Sequence, residues 1–280
     1  MAVRERSRAT WGRCGPGRAF AALALSAALL PGLAGADEAA SHGSRGGATG
    51  HAAHAPLHFA HPLIAESPSP DRKVRLDYLY RNESDAERHT ARFEAEYAFS
   101  PSLSVEVDLP YTFLDPEDGE DEERLDSIEL GLKYANFAFA EQGLLLGGGL
   151  ELGLPTGDDS RGIGSNNVLE VEPFLDFGYK RGDFETVGFL AFGIPTNENG
   201  EDEADLELGW NLSLLYHAHP RVQALLELDG EEVQGGEEDG FSSMNVTPGV
   251  KVAPLAGERV WVGAGLSLPV FEKDQAFDAR

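Results

Sequence analysis

Two kinds of side chain in this sequence are spaced for chemistry. Carboxylates fall at alternating positions through long stretches beyond residue 73: Asp77, Glu94, Glu96, Glu106, Asp108, Glu129, Glu151, Glu170, Glu172, Asp176, Glu185, Glu207, Glu227 and Asp229. Interspersed with them are Arg75, Arg81, Arg92, Lys133 and Lys251. Gathered on one wall of a water-filled enclosure, that excess of negative charge concentrates cations and repels anions. Packed across a narrow enclosure, the same charges pair and fill it. The second kind is imidazole: His42, His51, His54, His58 and His61 lie in one short tract, and the last four have the spacing to capture zinc, copper or nickel.

Other clusters carry less. Asp115-Pro-Glu-Asp-Gly-Glu-Asp-Glu-Glu123 lacks the one-three-five spacing and distal Glu of a calcium loop, so it reads as a solvated acidic loop, as do Glu201-Asp-Glu203 and Glu237-Glu-Asp239. His89, His217 and His219 have no neighbouring Ser or Asp in a triad-like arrangement. The sequence therefore points away from an enzyme, and no cofactor is expected.

The elements that must position these groups are strands. Val74, Leu76, Tyr78 and Tyr80 alternate with Arg75, Asp77 and Arg81, and the same period of two runs through Phe93–Phe99, Leu103–Tyr111, Ile128–Tyr134 and onward to Val260–Leu268. The run Leu150-Glu-Leu-Gly-Leu-Pro-Thr-Gly-Asp-Asp159 has counterparts at Val107-Asp-Leu-Pro110, Ala191-Phe-Gly-Ile-Pro195 and Leu266-Ser-Leu-Pro269, a repeat the length of a hairpin. About eleven strands of roughly nine to eleven residues emerge, long enough to cross hydrocarbon at a tilt. Short connections at 100–102, 138–143, 180–183, 217–220 and 254–259 alternate with longer ones at 82–89, 114–124, 155–166, 195–204 and 231–242. Short turns at one rim and long loops at the other predict an all-β, up-and-down antiparallel transmembrane barrel. Aromatic residues group near both rims, with Phe99, Phe137, Tyr179, Phe184, Tyr216 and Trp261 at one and Tyr111, Phe113, Phe192 and Trp210 at the other. Because such barrels have even strand counts, about twelve strands are expected, with Phe277-Asp-Ala-Arg280 as the start of a cut-short last one. Pro173 and Pro248, each mid-strand, predict bulges.

The compartment follows from the N-terminus. Arginines at 4, 6, 8, 13 and 18, the apolar run 19–30 and the triplet Ala34-Gly-Ala36 read as a secretory leader spanning residues 1–36, with cleavage before Asp37. The sole cysteine, Cys14, lies inside it, which excludes disulfide, thiolate-zinc and cysteine chemistry from the exported chain. Residues 37–72 are rich in Ala, Gly, His and Pro without a period, as in a periplasmic linker or plug-like tail. The barrel is then 73–280. Asp and Glu number 48 against 22 Lys and Arg, which makes a nucleic-acid partner untenable.

With Val105-Glu-Val-Asp-Leu-Pro-Tyr111, Asp126-Ser-Ile-Glu-Leu-Gly-Leu-Lys-Tyr134 and Leu152-Gly-Leu-Pro-Thr-Gly-Asp158 in view, residues 73–280 resemble the meta-pathway phenol-degradation family of outer-membrane proteins. The resemblance implies a barrel transporter linked to aromatic catabolism, and it supplies no catalytic residues. The expected partners are outer-membrane lipid, the barrel assembly machinery during biogenesis, and a small-molecule solute. The expected function is a porin or transporter for passive movement of small molecules, aromatic or hydrophobic ones among them, through a cation-preferring lumen. The alternative is a non-conducting structural barrel whose acidic loops or His-rich tail bind ions or a partner. By register, Leu132 and Leu212 face outward, while Gly131 and Ser213 face inward and should tolerate a charge.

Overall fold

A computed structural model describes residues 20–27, 57–82, 86–117, 119–196, 206–236, 239–255 and 259–273. The chain order is β1 (Phe20–Ala27), β2 (Arg72–Asn82), β3 (Ala86–Ser100), β4 (Leu103–Pro116), β5 (Glu122–Leu125), β6 (Glu129–Asn136), β7 (Leu144–Gly153), β8 (Glu170–Arg181), β9 (Phe184–Pro195), β10 (Leu206–His219), β11 (Val222–Gln234), β12 (Ser242–Val252) and β13 (Val260–Lys273). All pairings are antiparallel, and β3 pairs with β4 as well as with β2, so the ladder closes on itself. With β5 only a short ribbon on the upper part of β4, twelve strands form the ring. Closure leaves no edge, the condition for burying a sheet in lipid. Among the described residues no helix is long and apolar enough to cross a membrane.

Alternation along each strand sets the two faces. Leu76, Val105, Leu132, Leu175, Leu214 and Leu266 are among many large apolar residues left exposed on the outside. Their neighbours Arg75, Ser104, Lys133, Asp176, Ser213 and Ser267 are buried on the inside. A soluble domain would show the reverse pattern; a hydrocarbon solvent explains this one.

Three features differ from the sequence reading. The ring's twelfth position is filled by β1, drawn from the N-terminal apolar run, which pairs with β2 on one side and β13 on the other; Phe277–Arg280 fall outside the described residues. The connection expected at 82–89 is mostly strand, since β2 and β3 stay in register as far as Asn82 and Glu87. No bulge forms at the mid-strand prolines: Pro173 pairs with Leu150 and Pro248 with Leu226 in unbroken ladders, and on the other side register is the same before and after a two-pair gap. A proline lacks one donor facing one neighbour, so only that side of the ladder skips. A register shift between β12 and β13 lies instead at Met244/Asn245, opposite Phe271 and Pro269.

Candidate functional site

The inner wall divides into two arcs. On β2, β3 and β4 opposite charges meet across strands: Lys73 is in register with Glu96, Arg75 with Glu94 and Asp77 with Arg92. Arg75 Nε lies 2.8 Å from Asp77, and Arg92 Nη2 lies 2.7 Å from the same carboxylate. Lys73 also contacts Glu94, and Lys133 is 3.7 Å from both Glu96 and Glu106. Farther round, carboxylates face carboxylates, with Asp108 opposite Glu129 and Glu151 opposite Glu172. Asp108 and Asp176, almost wholly buried, have no hydrogen-bond partner on either oxygen. Arg92 Nη1 lies 3.8 Å from Asp108 at the boundary of the two arcs; beyond it, like charges directly opposite are destabilising unless something positive screens them, so this arc favours cations. Glu106, Asp108, Glu129, Gly131 and Glu151 line a cavity of about 10 Å³, and a second, of about 20 Å³, is bordered by Ser127, Gly153, Ser165, Val168, Glu170, Pro195 and Glu207, so each has room for little more than one water. All fourteen residues expected to line the lumen (Arg75, Asp77, Arg92, Glu94, Glu96, Glu106, Asp108, Glu129, Lys133, Glu151, Glu170, Glu172, Asp176 and Glu207) are buried or half-buried on this inner face.

Between the arcs lies a segment the sequence did not mark as packed. Residues 57–71 have no regular secondary structure, yet Phe59, Leu63, Ala65, Glu66, Ser67 and Ser69 are each at most 3% exposed. Want of a period records only that the backbone does not pair with itself, and here the wall supplies the partners instead. The Glu227 carboxylate accepts the backbone N–H groups of Leu63 at 2.7 Å, of Ile64 at 3.1 Å and of Ala65 at 3.1 Å. Ser213 Oγ donates to the same carboxylate at 2.8 Å. Glu185 accepts from Ala60 N at 2.9 Å, Arg75 donates to the Leu63 carbonyl, and Lys251 donates to that of His61. Glu66 accepts from Lys133 at 3.0 Å; burial opposes its charge, but Lys133, Lys73 and Arg75 hold the carboxyl well below its usual range.

Glycines on the inner wall make room for the segment's apolar side chains. A Cβ on Gly178 would come within 2.7 Å of the Phe59 ring, and one on Gly249 or Gly263 within 2.6 Å of Leu63. Phe59 and Leu63, with Ala135, Leu145, Val187, Leu215 and Leu225, form an apolar cluster inside the ring near the short-turn rim. The segment is a plug seated in that half of the lumen. Glu185, Glu227 and Lys251 were legible as inward residues, but nothing in their spacing says that they hold a plug.

Of the histidine tract, His58 and His61 are brought together, while His51 and His54 lie outside the described residues. His58 Nε2 is 3.1 Å and His61 Nε2 3.2 Å from one oxygen of Asp71, a residue the sequence did not single out. Burial first, and then the Lys73 charge, lower the His61 pKa to about 4, so its ring is neutral at pH 7. Burial works against the Asp71 charge, yet the hydrogen bonds from His58 and His61 pull its carboxyl below the ordinary range.

At the other rim the Pro-Thr-Gly-Asp stretch is a structural lock. Thr156 Oγ1 donates to Asp126 O and accepts from Ile128 N, Gly157 N donates to Ser165 O, and Asp158 accepts from Ser160 N while contacting Arg124. A Cβ on Gly157 would fall 2.6 Å from Gly164, which itself needs φ +63°. Repetition of the motif thus reports strand ends and their loops.

No family model matches the chain, and no curated protein matches it. Among solved structures the chain is similar to an outer membrane channel from Pseudomonas putida, with 12% sequence identity and a TM-score of 0.51 over 95% of this chain and 100% of that one. At that identity the likeness is one of architecture, and the chain has the fold of an outer-membrane channel barrel.

Proposed function

We propose that this protein is an outer-membrane channel for passive passage of small solutes, closed at rest by residues 57–71 and cation-preferring when open. The carrying observation is the arc of mutually facing carboxylates, Asp108 with Glu129 and Glu151 with Glu172, on the inner wall of a closed ring whose outside is apolar. The resemblance of residues 73–280 to phenol-degradation outer-membrane proteins adds aromatic or hydrophobic molecules as the solute class.

In a planar bilayer, purified protein is expected to favour potassium over chloride, because fixed carboxylates enrich cations within a Debye length of ~10 Å at 0.1 M salt. Replacing Glu106, Asp108, Glu170 and Glu172 together by Gln or Asn is expected to move the reversal potential toward zero. Preference for anions in the unaltered protein would overturn the selectivity reading. A complete absence of current, even with the plug deleted, would favour the non-conducting barrel.

Export makes its own prediction. N-terminal sequencing of protein from the outer membrane is expected to begin at Asp37. Removal of residues 1–36 takes β1 with it, so the exported barrel closes only when β2 and β13 pair directly or another segment takes the position between them. An N-terminus upstream of Phe20 would instead make the apolar run a permanent strand of the wall.

A further inference from the structure

We infer that His58, His61 and Asp71 form a transition-metal site, suited to zinc, that ties the two ends of the plug segment together immediately before β2. Two imidazoles three residues apart meet a carboxylate that lies 13 and 10 residues farther along the chain. Their ligand atoms all lie within 4.8 Å of one another. The separations from Asp71 Oδ2 to the two Nε2 atoms, 3.1 and 3.2 Å, match the edge of a tetrahedron with bonds of about 2.0 Å, roughly 3.3 Å. Neutral imidazoles with a carboxylate are the donor set of three-ligand zinc sites, which keep a fourth position for water. The His58 side chain is 52% exposed, so that position can open to solvent.

The surroundings permit the required tautomer. Lys73 Nζ lies 3.2 Å from His61 Nδ1, so the ring proton now sits on Nε2 and points to Asp71. A cation bound at Nε2 requires that proton on Nδ1, and Lys73 can then turn wholly to Glu94 and Glu96, which it already contacts. No net proton is lost from His61. The other close group of carboxylates, Glu66, Glu94 and Glu106, has Lys73 within 4 Å of each, Lys133 beside Glu66 and Glu106, and Arg75 4.0 Å from Glu94, so the chain's own cations already occupy it.

The site stands whether or not the lumen conducts, so its test is binding. The whole chain, refolded in detergent, carries His42→Ala, His51→Ala and His54→Ala to remove the rest of the tract, and zinc alone is titrated against a chromophoric chelator. One zinc ion per chain is expected. Adding His61→Ala, or Asp71→Asn, which keeps a hydrogen-bond acceptor for the rings, is expected to weaken it about tenfold or more. His58→Ala, at a half-exposed side chain, gives the same comparison if the buried changes disturb folding, which heat-modifiability on a gel reports. Equal zinc affinity with and without His58 and His61, or no zinc bound in the three-alanine background, would overturn the assignment.

Discussion

Deleting residues 57–69 is expected to raise single-channel conductance several-fold while leaving the barrel folded and heat-modifiable. The plug's own strands are none, so its removal breaks no ladder pair, and what it takes from the lumen is the Phe59 and Leu63 cluster and the buried Glu66. A point change probes the same element more gently. In Glu227→Gln an amide replaces a carboxylate that accepts three consecutive backbone N–H groups, and the amide nitrogen turns a donor toward donors. Hydrogen bonds to a charged group contribute about 1.5–3 kcal/mol each. Losing about 3 kcal/mol of plug docking raises the undocked population on the order of a hundredfold, which should appear as frequent openings in a planar bilayer. If the deletion leaves conductance unchanged, residues 57–71 do not limit passage and the constriction lies in the wall itself.

The second large effect tests the membrane. Leu132→Arg places a guanidinium on the outer face, where Leu132 is 47% exposed, and is expected to cost about 2–4 kcal/mol of folding stability in lipid if the position lies near the bilayer midplane. Gly131→Arg, one residue away, points inward between Glu106 and Glu151, where a new Cβ meets nothing nearer than 3.4 Å and the cation finds carboxylates. It is expected to be near neutral. The structure separates Gly131 from Ser213, which register alone treats alike. Ser213 is fully buried and its hydroxyl donates to Glu227, so Ser213→Arg should unseat the plug. Equilibrium unfolding in lipid vesicles measures all three, and equal costs for Leu132→Arg and Gly131→Arg would mean that the outer face does not meet hydrocarbon.

The legible part of this protein is what depends on a period of two. Alternation decides which residues share a face, and a closed antiparallel ring then sends one face to lipid and the other to the lumen, so the placing of Asp77, Glu106, Glu151 and the rest on one inner wall follows from sequence alone. Loop lengths fixed the hairpin order for the same local reason. Cross-strand partners are a different matter, because register depends on two segments at once. That Arg75 meets Glu94 while Glu151 meets Glu172 decides which arc is neutralised and which stays acidic, and neither pairing is written in one strand. The prolines show the same limit: a missing donor is visible in sequence, but whether it bends the strand depends on which neighbour it faced.

The plug is the extreme case. Residues 57–71 carry no period because most of their backbone partners are side chains from β2, β3, β9, β11 and β12, up to 190 residues away, with Ser67 and Ser69 of the segment itself serving Phe59. The histidine tract announced metal chemistry by composition, but only folding chose His58 and His61 from it and added Asp71, since a ligand set is a matter of distance in space. Sequence determined the wall and its charge; the tertiary structure decided what sits inside it, because side-chain to backbone contacts across a lumen leave no local pattern to read.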